Sequence, residues 1–574
     1  MKQLKCLVLL LIFLLSACGC GAETVSAEPP VASAVTQQKA EPQAAASTPS
    51  PVPTSTPEPS PVPTPDPFAY TEKLFSGDVV EIDISVAEED WDYLLAHAEE
   101  KPWISADVTV NGEAFSHVGV KTKGNTSLMS IAHSDSDRYS FKLSFGKYED
   151  GQTCWGLNKL ALNNIYADNT YLKEYMSYHL FRYMGVPASL CAFCQVSVNG
   201  EPFGFYLTIE DTDKSFLARY GGVDNKLEAY KPESMDFGGG KPAAPVEKVP
   251  EEEAPQDVAS PEETTDGQDG ATPQENDSPG FPGGDGGGFP GFPRGGAGGF
   301  PGGFPGFPGF PGGGNGGFPG GMDGGVSLQY TDDNPESYGG IFENGITKIS
   351  EKDQTRLIIA LKGIGEGEDL EQYINVDEVL RYTACNVFLV SLDSYFSMMG
   401  HNYVLVENRG QLSMVPWDYN LSFGTHNIST ASEAVNYPID TVFSGVTAEQ
   451  RPIIGKLLEV DEYRQRYHDY LRQICEDYVG DGVFDEEIDR VTGMIDGYVQ
   501  TDESSFAGYE AFQAGIPALR LYGALRTESI LGQLDGVIPS TSEEQSDSTA
   551  LVDASALDLS LLGSMNLGGP PGAP

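Results

Sequence analysis

Basic residues are scarce in this 574-residue chain: 34 Lys and Arg stand against 84 Asp and Glu, a formal net charge of −50. Such a surface disfavours binding nucleic acid or anionic lipid through a basic patch. Long apolar runs are equally scarce, and beyond the N-terminus no segment approaches the length of a membrane span. Glycine is plentiful but never settles into a sustained G-X-Y period, which argues against a collagen triple helix. Cysteines are few. Cys191-Ala-Phe-Cys194 has the spacing of half a zinc site or of a redox pair, but no second pair follows and it leads into a strand instead of opening a helix. Buried thiols or one structural bridge are the readings left.

The N-terminus, MKQLKCLVLLLIFLLSACGC, has Lys2 and Lys5, an apolar run too short to span comfortably as a mature helix, and Leu15-Ser16-Ala17-Cys18. This is the form of a secretory signal. Its ending resembles a bacterial lipobox, which implies removal of residues 1–17, a lipid on Cys18, and an extracytoplasmic chain anchored to the outer face of the cell membrane. Residues 18–67 are rich in Ala, Pro, Thr and Ser and cannot bury enough surface to fold. They read as a tether with a coil span of roughly 40 Å, more where proline stiffens it.

Residues 235–326 are first Pro/Glu-rich and then repeat Gly-Phe-Pro. They read as a disordered insertion, or as an element whose spaced Phe residues bind a partner or self-associate. Residues 540–574, Ser/Asp-rich and then Gly/Pro-rich, are expected to be loose. Two blocks remain, 68–234 and 327–539. In the first, VVEIDISV and RYSFKLSF alternate as strands, and hairpins turn at Asn111-Gly112 and Asn199-Gly200. DNTYLKEYMSYHLFRYMG reads as a helix capped by Asp168 or Asn169 and ended by Gly185 and Pro187. The second block is mainly helical in pattern: NVDEVLRYTACNVFLVSL, DEYRQRYHDYLRQICEDYV, DEEIDRVTGMIDGYV and PALRLYGALRTESILGQL. The fold class is α+β, a strand-rich N-terminal lobe followed by a helix-rich C-terminal lobe.

Within LVSLDSYFSMMGHNYVLVENRGQLSMVPWDYNLSFG, residues 389–424, Asp393, Asn402 and Asp418 interrupt a run of strand-forming hydrophobes. An Asp at a helix end, an Asn at a strand start and an Asp before a turn serve local hydrogen bonding. Short oxygen-bearing side chains on adjoining elements also suit a hard cation, and magnesium needs only one or two from the protein. An antiparallel pairing of NYVLV with LSMV would bring Asn402 near Asp418.

VGVKTKGNTSL, YSFKLSF, LKEYMSYHLFRYMGVPA, VNGEPFGFYLTIEDTDKSFL, LDSYFSMMGHNYVL and VPWDYNLSFG resemble, in this order, the successive motifs of the CotH family of spore-coat-type atypical protein kinases. The resemblance implies an atypical protein-kinase-like fold carrying a long disordered Gly/Pro/Phe insertion. It implies Asp418 as metal ligand with Asn402, Asp393 as the carboxylate that orients the acceptor hydroxyl, and Lys142 as a phosphate-binding lysine paired with Glu174, as in kinases generally. A solvated strand face is the plain alternative for Lys142. Lys121 and Lys123, in a loop that is neither a P-loop nor GxGxxG, would add charge over the phosphates. Glu210 would sit like a hinge residue beside the adenine, or simply cap the segment that follows. Many relatives have a second Asp where this chain has Asn420, which puts the strength of metal binding in question.

The function that follows is an extracytoplasmic Ser/Thr protein kinase using ATP with Mg2+ or Mn2+ on a surface or coat phosphoacceptor protein, with no nucleic-acid partner. A non-catalytic surface lipoprotein with a kinase-like fold is the alternative. A glycan hydrolase using Asp393 and Asp418 as paired carboxylates is the third reading, and neither Asn402 nor Lys142 with Glu174 serves it.

Overall fold

The computed structural model describes residues 66–233 and 325–565. The signal, the lipobox Cys18 and nearly all of the tether and of the insertion lie outside them.

Alternation of apolar and polar residues becomes strand wherever one face can be buried. In β1 (Val80–Ser85), Val80, Ile82 and Ile84 face the core while Glu81 and Ser85 face solvent. Asn111 and Gly112 both take positive φ, 46° and 81°, as do Asn199 and Gly200 at 53° and 80°. These two-residue turns match the twist of the strands they join. They fold β2 (Ile104–Val110) onto β3 (Glu113–Lys123) and β6 (Cys191–Val198) onto β7 (Glu201–Glu210). With β4 (Ser140–Ser144) and β5 (Lys159–Asn163) the strands close into a seven-stranded barrel of order β1-β2-β3-β4-β5-β7-β6. Parallel pairing of β1 with β6, from Val80 opposite Cys194 to Ile84 opposite Val198, seals it. Closure removes the free edges an open sheet would expose. Phe141, Leu143, Leu160, Leu162 and Tyr206 fill the interior, and Trp91 covers one side.

The helix Lys173–Tyr183 leads out of the barrel. Asp168 does anchor its start, accepting from the Lys173 amide at 2.8 Å and the Thr170 amide at 2.9 Å, and Gly185 follows it at φ 76°. Eight of its eleven residues are buried, among them Lys173 and Glu174.

A second sheet has the order β10-β9-β8, with β8 (Glu228–Tyr230), β9 (Tyr403–Asn408) and β10 (Gln411–Pro416). The expected antiparallel pairing of the last two strands is present, Pro416 lying opposite Tyr403. Helices Val376–Leu389, Asp461–Gln473, Val483–Thr501 and Tyr509–Leu534 form the rest, the second continuing through a wide turn to Gly480. The helix Glu351–Glu366, not read from the sequence, starts on a Ser350–Asp353 capping box and stops at Gly367, φ 74°. The Arg138 guanidinium joins the barrel to this part, reaching the Asn164 carbonyl at 3.0 Å and the Asp502 carboxylate at 2.6 Å.

Residues 540–565 are not loose. Val552, Ala554, Leu557 and Leu562 are buried in the helical core, and Asn436 holds both the amide and the carbonyl of Val552, at 2.9 and 3.0 Å. Composition hides this because the apolar residues are single and widely spaced, each serving a groove that only the assembled helices create.

Candidate functional site

Strand ends from both sheets meet at one place. β3 ends at Lys123 and β5 at Asn163; Lys231 follows β8, Asn402 precedes β9, and Trp417 and Asp418 follow β10.

On the barrel side, cross-strand register sorts the lysines. Lys121 lies opposite Lys142, and Lys142 opposite Ala161, while Lys123 lies one row farther, opposite Ser140. Lys142 forms its ion pair with Asp211 at 2.8 Å. The partner expected for Lys142, Glu174, is held elsewhere: its Oε2 accepts from Asn163 Nδ2 at 2.8 Å, and Asn163 Oδ1 in turn accepts from the Lys123 ammonium. The expectation of a Lys142–Glu174 pair is therefore corrected to a Lys123–Asn163–Glu174 relay. The reason is the strand period of two, which leaves Lys142 a row short of the helix.

Burial pushes the Glu174 carboxyl up to about 7, and the nearby Asp418 charge adds to this against the pull of Lys123. Burial also lowers the Lys123 ammonium below the usual lysine range, opposed by Asp418 and Glu174. Lys121 is pushed down to about 8 by burial and by Lys142, with its ammonium 4.9 Å from the Trp103 ring centroid. Desolvation works to raise the buried Asp211 carboxyl, but Lys142 overrides it and holds the group below the ordinary range.

Opposite stand the acidic groups. Asp393 does not end a helix: the helix stops at Leu389, Val390 turns left-handed at φ 45°, and Asp393 lies in the loop beyond. His401 Nε2 donates to Asp393 Oδ1 at 2.8 Å, and Asn402 Nδ2 donates to the Asp393 carbonyl at 2.8 Å and to Oδ2 at 3.0 Å. Burial would raise this carboxyl, yet the His401 bond prevails and keeps it below the ordinary aspartate value. His426 Nε2 lies 4.0 Å from the same Oδ1, a neighbour that no local motif announces.

Asn402 and Asp418 are both left-handed, φ 57° and 61°, and the Trp417 amide donates to the Asn402 carbonyl at 3.3 Å. Asn and Asp enter that region more readily than other non-glycine residues, and such positions also cluster at functional sites. The Asp418 amide donates to the Tyr178 hydroxyl at 3.1 Å, and its carboxylate makes no hydrogen bond or ion pair among the described residues. Asn420 donates from its amide to the Tyr166 carbonyl at 3.1 Å, a bond a carboxylate could not make.

Glu210 departs from its expected place at a ligand. Its carboxylate takes the Tyr70 hydroxyl at 2.5 Å, Arg219 at 2.5 and 3.0 Å, and the Leu190 amide at 3.1 Å, which leaves no acceptor for a nucleotide. Asp211, the next residue, holds Lys142 instead.

Among the described residues no cluster of three or more His, Cys, Asp and Glu is arranged to hold a metal ion, which is unlike a zinc or calcium cage. Magnesium, bound mainly through waters and phosphate oxygens, asks less. The unpartnered Asp418 carboxylate, the Asn402 side-chain oxygen and the buried, unbonded Glu174 Oε1 fit that demand. Cys154, Cys191, Cys194, Cys385 and Cys475 are free buried thiols, so of the two readings of the cysteines the first holds here. No helix among the described residues is long and apolar enough to cross a membrane.

A family model described as CotH kinase protein matches residues 120–278 and 320–530 of the chain. No curated protein matches it.

Proposed function

Because the chain belongs to the CotH kinase protein family, we propose that it transfers the γ-phosphoryl group of ATP to Ser or Thr hydroxyls of surface or coat proteins, on the outer side of the membrane to which Cys18 anchors it. The observation that carries the reading is the Lys123–Asn163–Glu174 relay facing Asp418, with Asp393 and Asn402 locked together beside it. On this reading, a kinase-like fold would place such a centre between the strand-rich and the helix-rich part of the chain.

Phosphoryl transfer leaves a protein little covalent work: it positions the two substrates and neutralises charge. Magnesium or manganese, when bound, would supply neutralisation of the phosphate oxygens, and Asp418 with Asn402 would hold it. Lys123 binds a phosphate with its direction set by Asn163 and Glu174, and Lys142, fixed by Asp211, lies in the next row with Lys121. Asp393 orients the acceptor hydroxyl. Kept ionised by His401 and Asn402, it is a weak base, so it receives the proton as the new P–O bond forms and does not remove it beforehand.

The test is transfer of label from ATP, with magnesium or manganese, to casein and to the chain itself. Asp393→Ala retains nucleotide binding and loses transfer by at least about a hundredfold. Asp418→Ala loses metal-dependent nucleotide binding while its thermal transition stays near that of the parent. Full transfer in either variant overturns the assignment, and a parent protein that binds no ATP points to the alternative of a surface binding module.

A further inference from the structure

Lys231 leaves the three-stranded sheet at the edge where the acidic groups gather. β8 runs antiparallel to β9 with Tyr230 opposite Leu405, so the residue after Tyr230 emerges toward the end where Tyr403 opens β9 and Pro416 closes β10. The Lys231 amide donates to the Asn344 carbonyl at 3.1 Å, which fixes the exit. Its ammonium lies 5.5 Å from the Trp417 ring centroid, and the Lys123 ammonium lies 5.8 Å from the same ring. One indole, covalently next to Asp418, thus gathers a cation from each sheet.

The two lysines differ in what else holds them. Lys123 donates to Asn163 within the relay. Lys231 has Glu233 at 3.0 Å, in a pair whose side chains are 35 % and 31 % exposed. A solvated pair of this kind contributes little and is readily exchanged for a stronger anion. Gathering like charges around one ring costs energy, and Lys231 is among the groups that lower the Lys123 ammonium. A bound polyanion reverses the sign of that cost, because each ammonium then gains a charge-assisted contact.

We propose that Lys231 is a phosphate-binding residue of the nucleotide site, reaching the polyphosphate from the three-stranded sheet while Lys123 and Lys142 reach it from the barrel, with Trp417 supporting its stem. The proposal rests on the reading that this site takes ATP. On binding, Lys231 exchanges Glu233 for a phosphate oxygen, and the compact ammonium serves as a point charge without bidentate geometry.

The experiment compares ATP affinity, by calorimetry in magnesium, with adenosine affinity, by ligand-observed NMR, for the full chain and its Lys231→Ala and Lys231→Arg variants. Lys231→Ala is expected to weaken ATP about tenfold, to leave adenosine unchanged and to flatten the salt dependence of ATP binding; Lys231→Arg stays within about threefold of the parent. Unchanged ATP affinity in Lys231→Ala overturns the assignment and leaves the kinase reading standing. Equal losses for ATP and adenosine also overturn it, since they mark a residue that shapes the pocket. A parent that binds no ATP overturns both.

Discussion

Lys123 and Lys142 sit on adjoining strands, and their surroundings separate them. Lys142 has a carboxylate of its own in Asp211, whereas Lys123 shares a relay with Glu174 and faces Asp418. Lys123→Met is therefore expected to reduce transfer about a hundredfold, because the lost charge acts on phosphate in a water-poor site, and to cost about 1–2 kcal/mol in stability by leaving the buried Asn163 oxygen without its donor. Lys142→Met is expected to cost about tenfold in rate and about 1–2 kcal/mol in stability, since it leaves the buried Asp211 unpaired. Steady-state kinetics beside thermal melts check both. Motifs alone made Lys142 and Glu174 the pair, because both residue types were present on consecutive elements. Which lysine meets the glutamate depends on cross-strand register, a relation between residues distant in sequence. His426 was illegible for the same reason: its place near Asp393 is set by the fold and by no spacing.

At the scale of the element, the helix Lys173–Tyr183 carries a further consequence. Burial pushes the His179 imidazole down to about 4 from an ordinary 6.5, with Glu487 opposing and Arg182 and Arg490 reinforcing, and its Nδ1 lies 2.8 Å from the Tyr478 hydroxyl. A histidine whose folded pKa is depressed binds fewer protons folded than unfolded, so stability is lost as pH falls from about 6.5 to about 4. Replacing it removes this slope. His179→Gln is expected to make denaturant unfolding less acid-sensitive by about 1–2 kcal/mol between pH 7 and pH 5, after discount for partial exposure, and parallel pH profiles of the two proteins would expose an error. The helix itself was legible from its caps and breaker. Its burial on nearly every side was not, because Lys173, Glu174 and several tyrosines make it look half polar. Lys173 is instead satisfied inside, by the Ala167 carbonyl and the Thr425 hydroxyl at 2.8 and 2.9 Å.

For the whole molecule the informative segment is the C-terminal one. Ending the chain at residue 539 removes Val552, Leu557 and Leu562 from the helical core and deprives the buried Asn436 of its two bonds to the Val552 backbone. The expected loss is roughly 5 kcal/mol, read as a lower denaturation midpoint, at the usual value per buried aliphatic side chain. An unchanged midpoint would mean that these residues add nothing to the core. The sequence by itself determined β1 and β4 by their alternation, the two Asn-Gly hairpins, the β9–β10 pairing, the helix Lys173–Tyr183 and the four helical patterns of the second block, the order of the motifs and the presence of Asp393, Asn402 and Asp418 within one stretch, all properties carried by neighbours in the chain. Only the tertiary structure decided that β1 and β6 close a barrel, that Glu210 is consumed by Arg219, that Lys123 and not Lys142 meets Glu174, and that residues 540–565 complete a core. Each of these is a pairing across long sequence separation, where burial and register choose among partners that local chemistry leaves equivalent.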